Sequence, residues 1–173
     1  MILRNPEEIA SEVHMSEVLD HWSAVENLSD LISARVGIIY PLLRMAYLTW
    51  NHAELKNSVL MKIYIISSDD WIRDGLCTKN DFRLSTALNN FRTGEGMNAK
   101  INNIKMKVNA FEKDPEIMGT KLILVAPRLN GPFTIIEGNK RSVALAHLSL
   151  MPGLQIYLGI SPEIETYFWA RYS

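Results

Sequence analysis

The sequence predicts a single α+β domain, with a helical N-terminal part over residues 1–57 and a part built of strands and helices over residues 58–173. Three observations predict it. Apolar residues recur at helical spacing near the N-terminus, short runs rich in β-branched and aromatic residues crowd the second half, and no Pro-, Gly- or Ser-rich linker divides the chain. Its 173 residues, 47% hydrophobic and 21% charged, suffice for one sizeable core and match an ordinary globular composition.

From Ser16 to about Arg35 the residues Val18, Leu19, Trp22, Val25, Leu28, Leu31 and Ile32 recur every three or four positions, the period of an amphipathic helix, with Ser16 as its expected N-cap. Pro41 suits the first turn of a second helix carrying Leu42, Leu43, Met45, Ala46 and Leu48 and ending near Asn51. Ser58–Ile66 reads as a strand, Asp81–Phe91 as a helix, and Met97–Val108 as either, because Lys and Asn alternate there with Ile, Met and Val. Leu122–Ala126 reads as a buried strand, Arg128–Pro132 as a turn, and Phe133–Ile136 as a second strand antiparallel to the first. A helix from Arg141 to Leu150, a strand Gln155–Ile160 and a short aromatic-bearing helix or tail from Glu163 to Tyr172 complete the chain.

Charge and composition exclude several classes of function. Lys and Arg total 18 against 19 Asp and Glu, so no global positive field draws the protein to nucleic acid or to an anionic membrane. Cys77 is the one cysteine, which rules out an internal disulfide framework and fits a reducing cytoplasm. The N-terminus turns acidic at Glu7 and Glu8 where a signal peptide needs an apolar run, and Val36–Trp50 is broken by Pro41 and Arg44, so a cytoplasmic protein without a membrane segment is expected.

The functional signal is concentrated in Glu137-Gly138-Asn139-Lys140-Arg141, a strand-to-helix turn. Gly138 permits a positive φ or close backbone approach, and Asn139 is placed to cap the following helix. Lys140 and Arg141 put two cations in a first turn where the helix dipole favours acids, an arrangement that an anionic ligand would offset. Arg grips phosphate bidentately and Lys adds a mobile charge, while Glu137 is suited to a metal carried by a nucleotide or to accepting a proton. The same string also admits a plain i,i+4 pair between Glu137 and Arg141 with Lys140 in solvent.

The context of that turn, from Leu122 through the run Gly131–Ala146, resembles the ParB/sulfiredoxin-like superfamily over about the last 60 residues. The resemblance implies a mixed sheet with helices and a turn that holds nucleotide phosphates through Gly138, Asn139, Lys140 and Arg141. Ser142, next on the helix, and Arg128, in the preceding turn, join them as ligand-binding candidates, with Glu137 as the catalytic one. The implied ligand is a nucleotide, ATP or CTP, with Mg²⁺, and the implied activity is phosphotransfer or nucleotide hydrolysis. The chain departs from the pattern in carrying Asn139 where sulfiredoxins have a catalytic cysteine, and Lys140 where the acid-Gly branch has a histidine.

Two alternatives come from other classes. The N-terminal helical part would serve as a protein-interaction module if Trp22 or Trp50 were exposed, and a metal-dependent nuclease would need Arg128, Lys140 and Arg141 aligned on one basic surface. His14 and His21 lie seven apart without a metal-ligand pattern, Asp69-Asp70 reads as a polar turn or an acid site, and Trp22, Trp50, Trp71 and Trp169 read as packing residues, with Trp169, beside Phe168, also placed to cover the site or to meet a partner.

Overall fold

A computed structural model describes residues 9–25, 36–94, 98–115 and 120–172. Strand β1 (Ile9–Val13) is followed by helices α1 (Met15–Val25) and α2 (Val36–Arg44), strand β2 (Thr49–Glu54), a 3-10 helix (Asn57–Lys62) and strand β3 (Ile63–Ile65). Helices α3 (Asp69–Arg73), α4 (Leu84–Thr93) and α5 (Ala99–Lys113) come next, then β4 (Leu122–Ala126), β5 (Phe133–Glu137), α6 (Asn139–His147), β6 (Gln155–Ile160) and a closing 3-10 turn (Pro162–Thr166).

The α+β class is what the molecule has. Its mixed six-stranded sheet runs β1-β2-β6-β4-β5-β3, with β6–β4 and β5–β3 parallel and the remaining pairs antiparallel. Every residue of β4 and of β5 is buried; β4 is an unbroken apolar run, as a strand covered on both faces requires, and β5 buries Thr134 and Glu137 along with its apolar residues. On β6, Gly159 faces Trp50 of β2, and a Cβ there would come within 2.9 Å of the indole; the missing side chain lets a large ring lie across the sheet.

The N-terminal part differs from its expected all-helical form. β1 and β2 come from it and extend the sheet through the β2–β6 pair, so the two parts of the chain share one sheet. The helix expected to run from Pro41 to Asn51 instead spans Val36–Arg44 with Pro41 inside it, and Thr49–Glu54 is strand. Trp50, Asn51 and Ala53 are buried there, and pairing with β6 supplies backbone partners that outweigh local helical preference. Ser16 lies within the first turn of α1 rather than capping it, and the expected helical residues 26–35 lie outside the described residues.

Most of the expected strand Ser58–Ile66 is the 3-10 helix, leaving three residues of β3. Residues 99–113 resolve the ambiguous stretch as helix, because Ile101, Ile104, Val108 and Phe111 bury one face at spacings of three and four. Asn98 caps it, its side chain accepting the Ile101 N–H at 2.9 Å. No helix among the described residues is long and apolar enough to cross a membrane.

Asp81 braces the chain just ahead of helix α4, whose N-cap residue is Arg83. Its carboxylate accepts from the Arg83 N–H at 3.0 Å, from the Arg83 guanidinium at 3.0 and 2.9 Å, and from Thr86 Oγ1 at 2.7 Å. The Arg83 hydrogen bonds hold this carboxyl down at about 2, against an ordinary 3.8. A depressed carboxyl stabilises the fold above its unfolded value, and that contribution disappears as pH falls through the folded one. Asp81→Asn is therefore expected to cost roughly 1 kcal/mol at neutral pH. Urea denaturation of the variant should also show a shallower loss of stability between about pH 4 and pH 2 than the parent shows.

Candidate anion-binding site

β3 and β5 run parallel and end side by side, and the site lies where their chains diverge. Beyond β5 the chain turns through Gly138, at φ 93°, into α6; beyond β3 it continues through Ile66, Ser67 and Ser68 into α3. The Asn139 side chain ties the two exits together by accepting the Ile66 N–H at 3.1 Å. Gly138 is itself the N-cap residue of α6, so Asn139 braces the neighbouring strand instead of capping. Only glycine fits there: φ is left-handed, and a Cβ would lie 2.4 Å from Leu122 Cδ2 and 3.0 Å from an Arg141 guanidinium nitrogen.

Between these strand ends, α5 and the C-terminal segment lies a cavity of about 580 Å³. Glu137, Gly138, Asn139, Lys140 and Arg141 all line it, so the turn singled out by its residues does border a concavity. Helix α5 contributes Lys100, Asn103 and Lys107, which share one helix face at i, i+3 and i+7. Ser67, Ser68, Asp70 and Phe168 border it as well. None of the α5 residues stood out in the sequence, because their spacing acquires meaning only once 99–113 is known to be helical.

Two expected ligand residues lie elsewhere. Ser142 is fully buried and is not among the residues lining the cavity, and its hydroxyl proton is donated back to the Gly138 carbonyl at 2.9 Å. Arg128 sits by the turn joining β4 to β5, at the end of the hairpin opposite Glu137, where its Nε donates to the Gly131 carbonyl at 3.1 Å and its guanidinium faces Glu165 at 3.7 Å. The alignment of Arg128 with Lys140 and Arg141 that a nuclease surface requires does not form.

The charges around the cavity are unevenly matched. Lys100 is spoken for: its ammonium contacts Asp70 at 2.5 Å and Asp74 at 2.8 Å and lies 4.5 Å from the centre of the Trp71 ring. Asp70 also accepts the Ser68 hydroxyl. Lys107, Lys140 and Arg141 form no salt bridge among the described residues. Burial first, and then the charges of Arg141 and Lys140, hold the Lys107 ammonium below the ordinary lysine range, with Glu137 pulling the other way. Burial likewise lowers Arg141, again against Glu137.

Arg141 donates to the Lys121 carbonyl at 3.1 Å, while its Nε is buried with no hydrogen-bond partner. The Asn103 Oδ1 is buried and unpartnered too. Orphaned polar atoms of this kind are uncommon in folded proteins; among the described residues the Trp22 and Trp50 indole nitrogens are orphaned as well, and neither of those residues lines the cavity. Asp70 and Glu137 are the carboxylates lining it, and no cluster of three or more His, Cys, Asp or Glu among the described residues could hold a metal ion. His14 is exposed, and His21 is turned to the Lys121 carbonyl at 3.0 Å, so they do not share a site. Burial pushes the Cys77 thiol up to about 12, away from nucleophilic character.

Two outcomes follow. Gly138→Ala is expected to lose roughly 2–4 kcal/mol in chemical denaturation, from backbone strain added to overpacking against Leu122. Because a lysine with a lowered folded pKa destabilises the fold while charged, Lys107→Met should melt higher than the parent at pH 7 in a buffer without phosphate, and the gap should narrow as pH rises toward 10. Thermal denaturation across that range checks it.

Comparison with protein-family models, with curated proteins and with solved structures finds no match.

Proposed function

We propose that this protein binds a phosphate-bearing ligand in the cavity beside the Gly138 turn, and that the ligand is a nucleotide, ATP or CTP, as the resemblance of the turn to the ParB/sulfiredoxin-like superfamily implies. The observation that carries the reading is the convergence of Lys107, Lys140 and Arg141 on one cavity, with Lys107 held below the ordinary lysine range by burial first and then by the charges of Arg141 and Lys140. Like charges gathered in a concavity repel one another and lose hydration, and a phosphate entering between them reverses both penalties. The orphaned Arg141 Nε adds a donor of the kind that an anion would complete.

Within that reading, Lys140 and Lys107 are mobile charges that close on the phosphate, and Arg141 is a fixed donor whose orientation is set by the Lys121 carbonyl. Glu137, buried at the end of β5, faces this positive cluster and is the acid suited to receive a proton from an attacking hydroxyl or to bind a Mg²⁺ ion that arrives with the nucleotide. Mg²⁺, when bound, would neutralise charge on the phosphoryl oxygens. The protein's share of a phosphotransfer or hydrolysis would be positioning and electrostatic stabilisation. The exposed Trp22 or Trp50 that would favour the interaction-module alternative is not found, since both are buried.

Titration calorimetry with tripolyphosphate, ATP, ADP, CTP and GTP, with and without Mg²⁺, tests the proposal. Binding should weaken with added salt, and Lys107→Met and Lys140→Met should each lower affinity about 10-fold. Absence of heat and of any melting shift with all five would remove the reading. If the bound nucleotide turns over, Glu137→Gln should slow product formation by roughly 100-fold with little change in affinity.

A further inference from the structure

We infer that the ligand of this cavity carries an aromatic base with an amino group, its N–H donating to Asn103 and its ring stacked on Phe168. The inference rests on the phosphate-binding reading and adds two specificity-determining residues that lie outside the turn.

Asn103 stands on α5 between Lys100 and Lys107, on the face that lines the cavity. Its Oδ1 is buried and receives no hydrogen bond. The nearest cationic donor along that face is already committed: Lys100 is engaged by Asp70, Asp74 and the Trp71 ring. Lys107, on the other side, is drawn into the cationic group with Arg141 and Lys140. A buried amide oxygen without a donor is costly, so the donor it lacks is one that a ligand would bring. One turn of helix, about 6 Å, separates Asn103 from Lys107, so a phosphate held by the cations leaves the organic part of its ester beside Asn103.

Phe168 says what that organic part is. It is 66% exposed, yet it borders the cavity from a chain that is anchored at the next residue. The next residue, Trp169, is buried; its carbonyl accepts the Ser67 N–H at 2.9 Å and its indole N–H donates to the Gly37 carbonyl at 3.1 Å. An apolar ring held open at the rim of a polar cavity is a surface for a planar partner, and stacking on an aromatic side chain is how proteins hold nucleobases. A donor for Asn103 and a flat ring for Phe168 are combined in an aminated base such as adenine or cytosine, and an amide side chain pairs well with such an edge.

Calorimetry on the full chain tests this with ATP, CTP, tripolyphosphate, and the triphosphate of unsubstituted purine riboside, which keeps ring and sugar but has no amino group. The parent protein should bind ATP and CTP at least about 10-fold more tightly than either of the last two. Asn103→Leu should erase the advantage over purine riboside triphosphate, and Phe168→Ala should weaken all three nucleoside triphosphates about 10-fold while tripolyphosphate binding stays as it was. Equal affinity of the parent for ATP and purine riboside triphosphate would mean that Asn103 meets a sugar hydroxyl, and it overturns the amino-group assignment. Equal affinity for ATP and tripolyphosphate overturns the base platform while the phosphate site stands. If none of the four binds, the phosphate site falls and this inference with it.

Discussion

The hydrogen bond from the Ile66 N–H to the Asn139 side chain is the constraint on which the cavity depends. Two parallel strands that end together send their chains in different directions, and each leaves backbone groups that the sheet no longer satisfies. Asn139 meets one of those needs from the other chain, so the exits from β3 and β5 separate only by a fixed amount. Gly138 makes the geometry possible, because its left-handed φ swings Asn139 back toward β3 while Leu122 fills the space a Cβ would occupy. A residue of the turn that reads as a ligand contact in sequence therefore ties the walls together at a set spacing.

That brace explains why the cations are tolerated. α6 begins against a strand end that is already fixed, so Lys140 and Arg141 do not have to stabilise the helix start themselves. Arg141 lies along Gly138 and donates to the Lys121 carbonyl, which orients its guanidinium at the expense of its hydration. The dipole at the start of α6 adds to the same positive field. One guanidinium nitrogen is used by the fold and the buried Nε is not.

How much of this was legible in the sequence follows from where each signal resides. The strands β4, β5 and β6 and the turn after β5 are marked by local features: unbroken apolar runs, an Asn-Gly-Pro turn, and a glycine before a basic pair. β1 and β2 carry no such mark. β2 is placed by β6, about a hundred residues away, and β1 by β2, and Trp50 needs Gly159 opposite it, a match that no window of sequence contains. The α5 contribution was hidden for a different reason. Its apolar positions do follow a helical period, but Lys, Asn and Met between them imitate alternation, and Lys107 joins Lys140 and Arg141 only because α5 packs on α6. Arg128 shows the opposite error: only nine residues before Glu137 in sequence, it is carried to the far end of the hairpin because antiparallel pairing sets Glu137 beside Ile123.

Lys121 shows that the N-terminal part belongs to the site's framework. Its carbonyl receives Arg141 at 3.1 Å and faces His21 of α1 at 3.0 Å, while its ammonium lies 3.0 Å from His52 Nδ1 and 4.6 Å from the centre of the Tyr157 ring. Tyr157 in turn donates to Glu17 of α1 at 2.9 Å, and its phenol is pushed up to about 12 by burial and by that carboxylate, so it stays a donor through the neutral range. With the Lys121 ammonium donating to Nδ1, His52 has Nε2 left to donate to Glu17 at 3.2 Å, and one run of polar contacts links α1, β2 and β6 to the residue that precedes β4. The peptide that orients Arg141 is thus held by side chains from both ends of the protein. Removing α1 would leave the turn's own residues in place and take away the contacts that fix the carbonyl on which Arg141 rests.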